Sequence, residues 1–349
     1  MRTFPPAFWQ LVAAAELPAK KSQALLEELG ASSLSPMAAL LDWEKLTKAE
    51  RARIEDANQK ALTQAMDRGV QILTPPPYRV DKSAEFPVVL FADGDLTWTE
   101  KPVVAIVGSR SSTNYGIAVA QKFAEHLSLG GVVVSSGGAA GIDTAAHEGA
   151  LKGPSGTLAV LGTGVDKVYP ARNNGLFSQI RNQGCLVSQF ACGMPAKEYT
   201  FRLRNYTLAA LSDAVLIVEA PEKSGALVTA HAALEQGKPV FVVPGNITFF
   251  GFKGSHQLIR DGATLVDHPD QILEELGLDP VGETQTYTSI LPEAPTHAAV
   301  LAALDAEAKS AEKLCELTSL SSPEVMMALT ELELMGRIIR TGIGYSIRP

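Results

Sequence analysis

Residues 102–143 read PVVAIVGSRSSTNYGIAVAQKFAEHLSLGGVVVSSGGAAGID, and this stretch decides the fold. An unbroken apolar run at 103–107 stops at Gly108, a helical pattern occupies 116–127, and a second apolar run at 131–135 leads into a glycine-rich turn. Short apolar runs without polar alternation read as strands covered on both faces, and strands that alternate with amphipathic helices build a parallel sheet. The alternation continues downstream, with strands expected at 158–160, 185–188, 214–218 and 239–243 and helices at 142–150 and 227–236. A short strand at 88–91 precedes the series; a last element at 264–266 and a helix at 270–276 close it. The expected fold class is therefore α/β, an extended Rossmann-like, doubly wound and mostly parallel sheet over residues 84–277.

The flanks differ in character. Within 5–70, Ala24, Leu25, Leu26 and Leu29 and then Ala39, Leu40 and Leu41 recur at helical spacing, punctuated by Gly30 and Pro36, which predicts a small N-terminal helical domain over 1–75. Pro75, Pro76 and Pro77 cannot continue a helix and mark an extended connector. Residues 278–298 read as a linker. Beyond it, helices at 300–308, 311–317 and 323–334 precede a hairpin with a turn at 342–344, the plan of a winged-helix-like domain over 299–349. Its wing carries Arg337, Arg340 and Arg348, but the preceding helices are acidic, so DNA reading and a docking or dimerisation role stay equally open.

Composition narrows the class. With 46% hydrophobic and 19% charged residues in 349, the chain can build more than one core. Neither a secretion signal in the first ten residues nor an apolar run of spanning length is legible, which predicts a cytoplasmic protein without a membrane span. Cys185, Cys192 and Cys315 have no metal-ligand spacing and suggest no disulfide framework. The net charge of −8 argues against coating nucleic acid by bulk attraction, but basic and acidic residues number 11 and 14 in 1–100, 14 and 9 in 101–260, and 5 and 15 in 261–349. Only the middle segment has the sign of a polyanion-binding surface.

That segment also holds the candidate site. Gly108 at the end of the first long strand lets the backbone approach a ligand, while Ser109 and Arg110 supply a hydroxyl and a planar charged fork. Gly137, Gly138 and Gly141 form a loop whose amides can converge on an anion, in a spacing that is neither the dinucleotide fingerprint nor a Walker loop. Asp143 and His147, four apart, read as local structural partners rather than a metal or acid/base pair. In Phe201-Arg202-Leu203-Arg204-Asn205-Tyr206, ahead of a helix that includes Leu208 to Leu211, an extended run would put Arg202 and Arg204 on one side, with Phe201 and Tyr206 available to stack on bases. Lys223 and Ser224 at another strand end suit a phosphate, and Lys253 sits on the expected opposite rim. No catalytic order of nucleophile, base and acid emerges, so the reading is a binding protein without cofactor or metal and not an enzyme. Two alternatives stand beside it: a nucleotide phosphoribohydrolase, for which Asp143, Glu148 and Glu219 are the available carboxylates, and a non-catalytic scaffold.

Taken in order, these motifs resemble the DNA processing protein A (DprA/Smf) family across about 85–275. The matching positions are Gly108-Ser109-Arg110 with Tyr115-Gly116; Ser136 through Asp143 with Ala146-His147; Tyr169-Pro170 with Asn173; Phe201 through Asn205; Val218-Glu219-Ala220 with Ser224-Gly225 and Thr229-Ala230; and Pro244-Gly245 with Leu258-Ile259 and Gly262-Ala263. The resemblance implies a homodimeric protein that binds and protects single-stranded DNA and loads the RecA recombinase during natural transformation. It also implies an N-terminal domain likened to a sterile-alpha-motif fold and, in many members, a C-terminal winged helix. By position it assigns DNA contacts to Arg110, Gly137 through Gly141, Arg204, Asn205 and Lys223; Arg202 and Lys253 are added from local chemistry. Two positions depart from the family pattern: Tyr206 stands where a second arginine is usual, and Gln189 where a glutamate is common.

Overall fold

The computed structural model describes residues 4–31, 40, 43–57, 59–79, 86–281, 295–304, 309–334, 337–341 and 344–347. Pro36, Ala39, Leu41, most of the expected linker, Gly336, the hairpin turn at 342–343 and Arg348 lie outside them. Contacts group Met1–Val281 into one compact unit and Gly282–Pro349 into a second.

In the first unit, helices α1 (Pro6–Ala15), α2 (Ala19–Ala31), α3 (Lys48–Glu55) and α4 (Gln59–Asp67) lead to strands β1 (Gln71–Leu73) and β2 (Leu90–Gly94). The alternating series then runs β3 (Val103–Val107), α5 (Asn114–Leu129), β4 (Val133–Ser136), α6 (Ile142–Ala150), β5 (Thr157–Val160), α7 (Asn174–Gln183), β6 (Cys185–Ser188) and α8 (Glu198–Leu211). It finishes with β7 (Ala214–Ile217), α9 (Gly225–Glu235), β8 (Val240–Val242), α10 (Lys253–Arg260), β9 (Thr264–Leu265) and α11 (Asp270–Glu275). The nine strands order as β1-β2-β6-β5-β4-β3-β7-β8-β9. From β6 to β9 every pairing is parallel, and β1 and β2 add antiparallel at one edge.

Buried side chains alternate across this sheet as the two-residue period requires. Val103, Ala105 and Val107 of β3 pack with Leu208 and Leu211 of α8 and Ala230 of α9. Val104 and Ile106 pack on the other face with Phe123 and Leu127 of α5 and Ile142 of α6. The N-terminal helices do not stand apart, because Phe8, Trp9 and Leu25 share one core with Phe91, Ala159 and Leu186 of the sheet and Phe177 of α7. A buried amide fastens them: Gln10 Nε2 donates to Cys192 O at 2.8 Å and Gln10 Oε1 accepts from Cys192 N at 2.9 Å.

The second unit has its own core of Val300, Leu314, Val325, Leu329 and Ile338. Helices α12 (Pro295–Ala303), α13 (Ala311–Thr318) and α14 (Ser322–Leu334) precede the antiparallel pair β10 (Ile338–Thr341) and β11 (Gly344–Ile347), a winged-helix-like arrangement. Its first helix starts at Pro295, inside the span read as linker, where a proline's fixed φ suits a first helical turn.

At the amino ends of the strands, Lys238 closes α8. It is 7% exposed, and its Nζ donates to Ala209 O at 2.7 Å, Ala210 O at 2.9 Å and Ser212 O at 2.6 Å. Burial pushes its ammonium down to about 8, with Arg79 adding to that shift and Asp213 opposing it. The folded value lies below that of a free lysine, so the unfolded chain binds more protons over this window and stability rises with pH. Between pH 8 and pH 10, wild type should therefore gain about 2 kcal/mol relative to Lys238→Met in urea unfolding. Parallel curves would remove this lysine from the balance.

Candidate functional site

Chain order along the sheet reverses at β3: β4, β5 and β6 follow on one side, and β7 returns to the other. Loops leaving β3 and β7 at their carboxyl ends consequently diverge and open a crevice, the place where open α/β sheets receive ligands. The crevice here is a cleft of about 480 Å³. Ser109, Arg110 and Ser111 line it from the β3 loop, Ala139 from the glycine turn, Asp143 from the start of α6, Arg204 and Asn205 from α8, Lys223 and Ser224 from the β7 loop, and Gly225 from the start of α9.

Each wall has a local cause. Ser109 N donates to Glu219 O at 2.7 Å, and Ser109 Oγ accepts from Ser111 N at 3.1 Å, so the β3 loop is folded back onto β7. Thr113 caps α5 by accepting from Gly116 N, and the buried Glu219 Oε2 accepts from Thr113 N at 3.0 Å and Thr113 Oγ1 at 2.8 Å. Ser224 caps α9 by accepting from Ala226 N at 3.2 Å. The amino ends of α6 and α9 thus both border the cleft and bring positive partial charge to it.

Arg204 is the centre of the frame. It is 4% exposed; Nη1 donates to Val160 O at 2.6 Å and Nε to Asn205 Oδ1 at 3.0 Å. Asn205 Nδ2 reaches on to Gly225 O at 3.1 Å, tying α8 to the start of α9. A methyl group on Gly137 would lie 1.9 Å from the guanidinium, which is why the turn needs glycine there. Burial lowers the Arg204 pKa and the neighbouring Asp143 charge opposes that. Burial likewise raises the Asp143 carboxyl, while Arg204 and Arg110 draw it back.

The two arginines read as facing one side in an extended run are both on α8. At about 100° per residue, positions two apart point to opposite sides of a helix, and Arg202 is exposed outside the cleft while Arg204 is buried beside it. Lys253, the first residue of α10, is exposed and also outside the lining. The cleft gathers Ser109, Arg110, Arg204, Asn205, Lys223 and Ser224; Gly137 backs the Arg204 guanidinium, Gly138 lies against Phe177, and Gly141 lies against Ser109 and Arg110. Arg110 is exposed, with its guanidinium 5.5 Å from the Phe201 ring centre. Tyr206 points elsewhere: with Gln189, Val12, Leu17, Phe190 and Leu203 it lines a separate groove of about 750 Å³ beside the N-terminal helices. Both departures from the family pattern meet there.

Asp143 and His147 bond to different groups: Asp143 Oδ2 accepts from Ala139 N at 3.3 Å, and His147 turns to Thr157. Thr157 Oγ1 donates to Val134 O at 2.6 Å and so accepts from His147 Nδ1 at 2.8 Å, which fixes the proton on Nδ1. Burial, helped by the Arg204 charge, pushes His147 down to about 3. Sequence reading passed over Phe249 and Phe250, which border the cleft; their signal was an aromatic pair in a glycine- and proline-bounded loop. Among the described residues no group of three His, Cys, Asp or Glu could hold a metal ion, and no helix is long and apolar enough to cross a membrane.

Sheet order and crevice together define an open, doubly wound α/β protein with its cleft at the topological switch point. A sequence profile of the family described as DNA recombination-mediator protein A matches residues 75–277, and one described as the DprA winged helix domain matches 284–342. Protein Smf of Escherichia coli K12 is 38% identical over 270 residues, which span 75% of this chain and 72% of that protein. The solved structure of DNA processing protein A from Streptococcus pneumoniae superposes with a TM-score of 0.67 at 29% identity, covering 78% of this chain and 99% of that one. That of DNA processing protein A from Helicobacter pylori, described for its single-stranded DNA binding mode, gives 0.55 at 30% identity over 60% of this chain and 95% of that one. The chain belongs to the DNA processing protein A (DprA/Smf) family.

Proposed function

We propose that this protein binds single-stranded DNA in the switch-point cleft and, as a homodimer, protects incoming DNA and passes it to the RecA recombinase during natural transformation. The observation that carries the reading is the charge layout: exposed Arg110 and Lys223 line one cleft from two different loops, and buried Arg204 and two helix amino ends border it as well. Such a cleft suits a phosphodiester, and the H. pylori relative binds single-stranded DNA. A dimer would join two such clefts on one strand and raise avidity.

The hydrolase alternative has less support. Glu148 lies outside the cleft lining, Asp143 is buried beside Arg204, and Glu219 spends one oxygen on Thr113. The test is binding of a fluorescent oligothymidylate against a duplex of equal length at low and moderate salt. Preferential single-strand binding that weakens with salt is expected, because phosphate contacts release counterions. Absence of binding by folded protein would overturn the reading, and RecA filament growth unchanged by pre-bound protein would overturn its second half.

A further inference from the structure

The loop between β8 and α10 turns two large apolar side chains to solvent: Ile247 is 85% exposed and Phe250 66%. In a slack loop this would mean little. Here the backbone is braced throughout. Asn246 Oδ1 accepts from Thr248 N at 2.9 Å and Thr248 Oγ1 at 2.8 Å, Phe249 N donates to Asn246 O at 3.1 Å, and Phe252 N donates to Phe249 O at 3.2 Å. The Tyr115 hydroxyl donates to Pro244 O at 3.0 Å, and its ring meets buried Phe252 edge-on at 6.0 Å. Phe249 fills the space between, 4.8 Å from the Phe250 ring and 6.0 Å from that of Phe252. Phe250 is thus held outward by a packed ring beneath it, and it lines the same cleft as Arg110 and Lys223.

We propose that Phe250 is a stacking platform for a nucleobase of the strand whose phosphates lie on Arg110 and Lys223, an inference that rests on the single-stranded DNA reading above. A phenyl ring offers no hydrogen bond, so it accepts any base by its π face and adds affinity without sequence preference. It also supplies what cationic groups cannot. Duplex DNA has the denser phosphate charge, so cations alone would not favour a single strand. A duplex base is already stacked and paired, whereas a single strand can turn its base onto the ring. Phe250 is therefore the element that sets single-strand preference.

The experiment compares wild type, Phe250→Ala and Phe250→Trp on three probes: oligothymidylate, an abasic oligonucleotide of the same length and a duplex. Phe250→Ala should bind oligothymidylate about tenfold more weakly, Phe250→Trp should bind it like wild type, and the abasic strand should not distinguish the three proteins. Preference over duplex should shrink by the same factor in the alanine variant. Wild type that binds oligothymidylate alongside an unaffected Phe250→Ala overturns this inference alone. An equal loss on the abasic strand also overturns it, as does a loss tied to dissociation of a self-associated form in sedimentation, which would make the surface a contact between copies. Wild type that fails to bind any single strand overturns the parent reading instead.

Discussion

Arg204→Ala is expected to lower the free energy of unfolding by about 3–5 kcal/mol, measured by urea denaturation. The guanidinium is buried and charged, and removing it leaves Val160 O without its donor, Asn205 Oδ1 without its partner, and buried Asp143 without the positive charge that acts on it most. Each loss belongs to the short list of mechanisms that produce large effects. Arg204→Lys should recover little, because a point charge on a flexible stem cannot serve two acceptors from one fixed plane. A loss below about 1 kcal/mol would show that the frame does not depend on this side chain. The same argument separates Arg204 from the exposed residues: any fall in DNA affinity in this variant must first be corrected for the fraction unfolded.

Arg110→Ala combined with Lys223→Ala should leave stability nearly unchanged, since both side chains are exposed. Affinity for a single strand should fall on the order of 100-fold. The logarithmic salt slope should flatten by about 1.4, or ~0.7 for each phosphate released. Salt titration of oligothymidylate binding reads both numbers. A weakened variant with an unaltered slope would mean that the two cations orient groups in the protein and do not meet phosphate.

Why the strands were legible and the first half of α8 was not follows from what each buries. Parallel strands covered on both faces bury every residue, as in Val103-Val104-Ala105-Ile106-Val107, and announce themselves as unbroken apolar runs. Ahead of the wholly buried run Leu208–Leu211, α8 buries Thr200, Arg204 and Thr207, a helical spacing made of polar residues. Apolar periodicity is invisible there, and the local alternation of Phe201, Arg202, Leu203 and Arg204 imitates a strand. Glycine-bearing strand ends gave the position of the cleft, because sheet topology dictates where such loops gather. Arg202 came from the extended reading that the helix overturns, and Lys253 from charge, which carries no direction. Asn205 was legible as a polar residue but not as a tie, since its acceptor, Gly225 O, is twenty residues further along the chain.

A methyl group at Gly137 would overlap a guanidinium that is itself pinned on two sides; one at Gly141, where φ is +78°, would lie 2.3 Å from Ser109 O. At these two points main chain therefore touches main chain or an immobilised side chain. The cleft divides into a fixed mould and interchangeable fittings: exchanging residues 110, 223 or 250 can retune grip or selectivity, while the spacing between walls is cast with the fold itself. Attempts to refit this scaffold for a bulkier polyanion would have to recast the turns, and they would be judged first by whether the chain still folds.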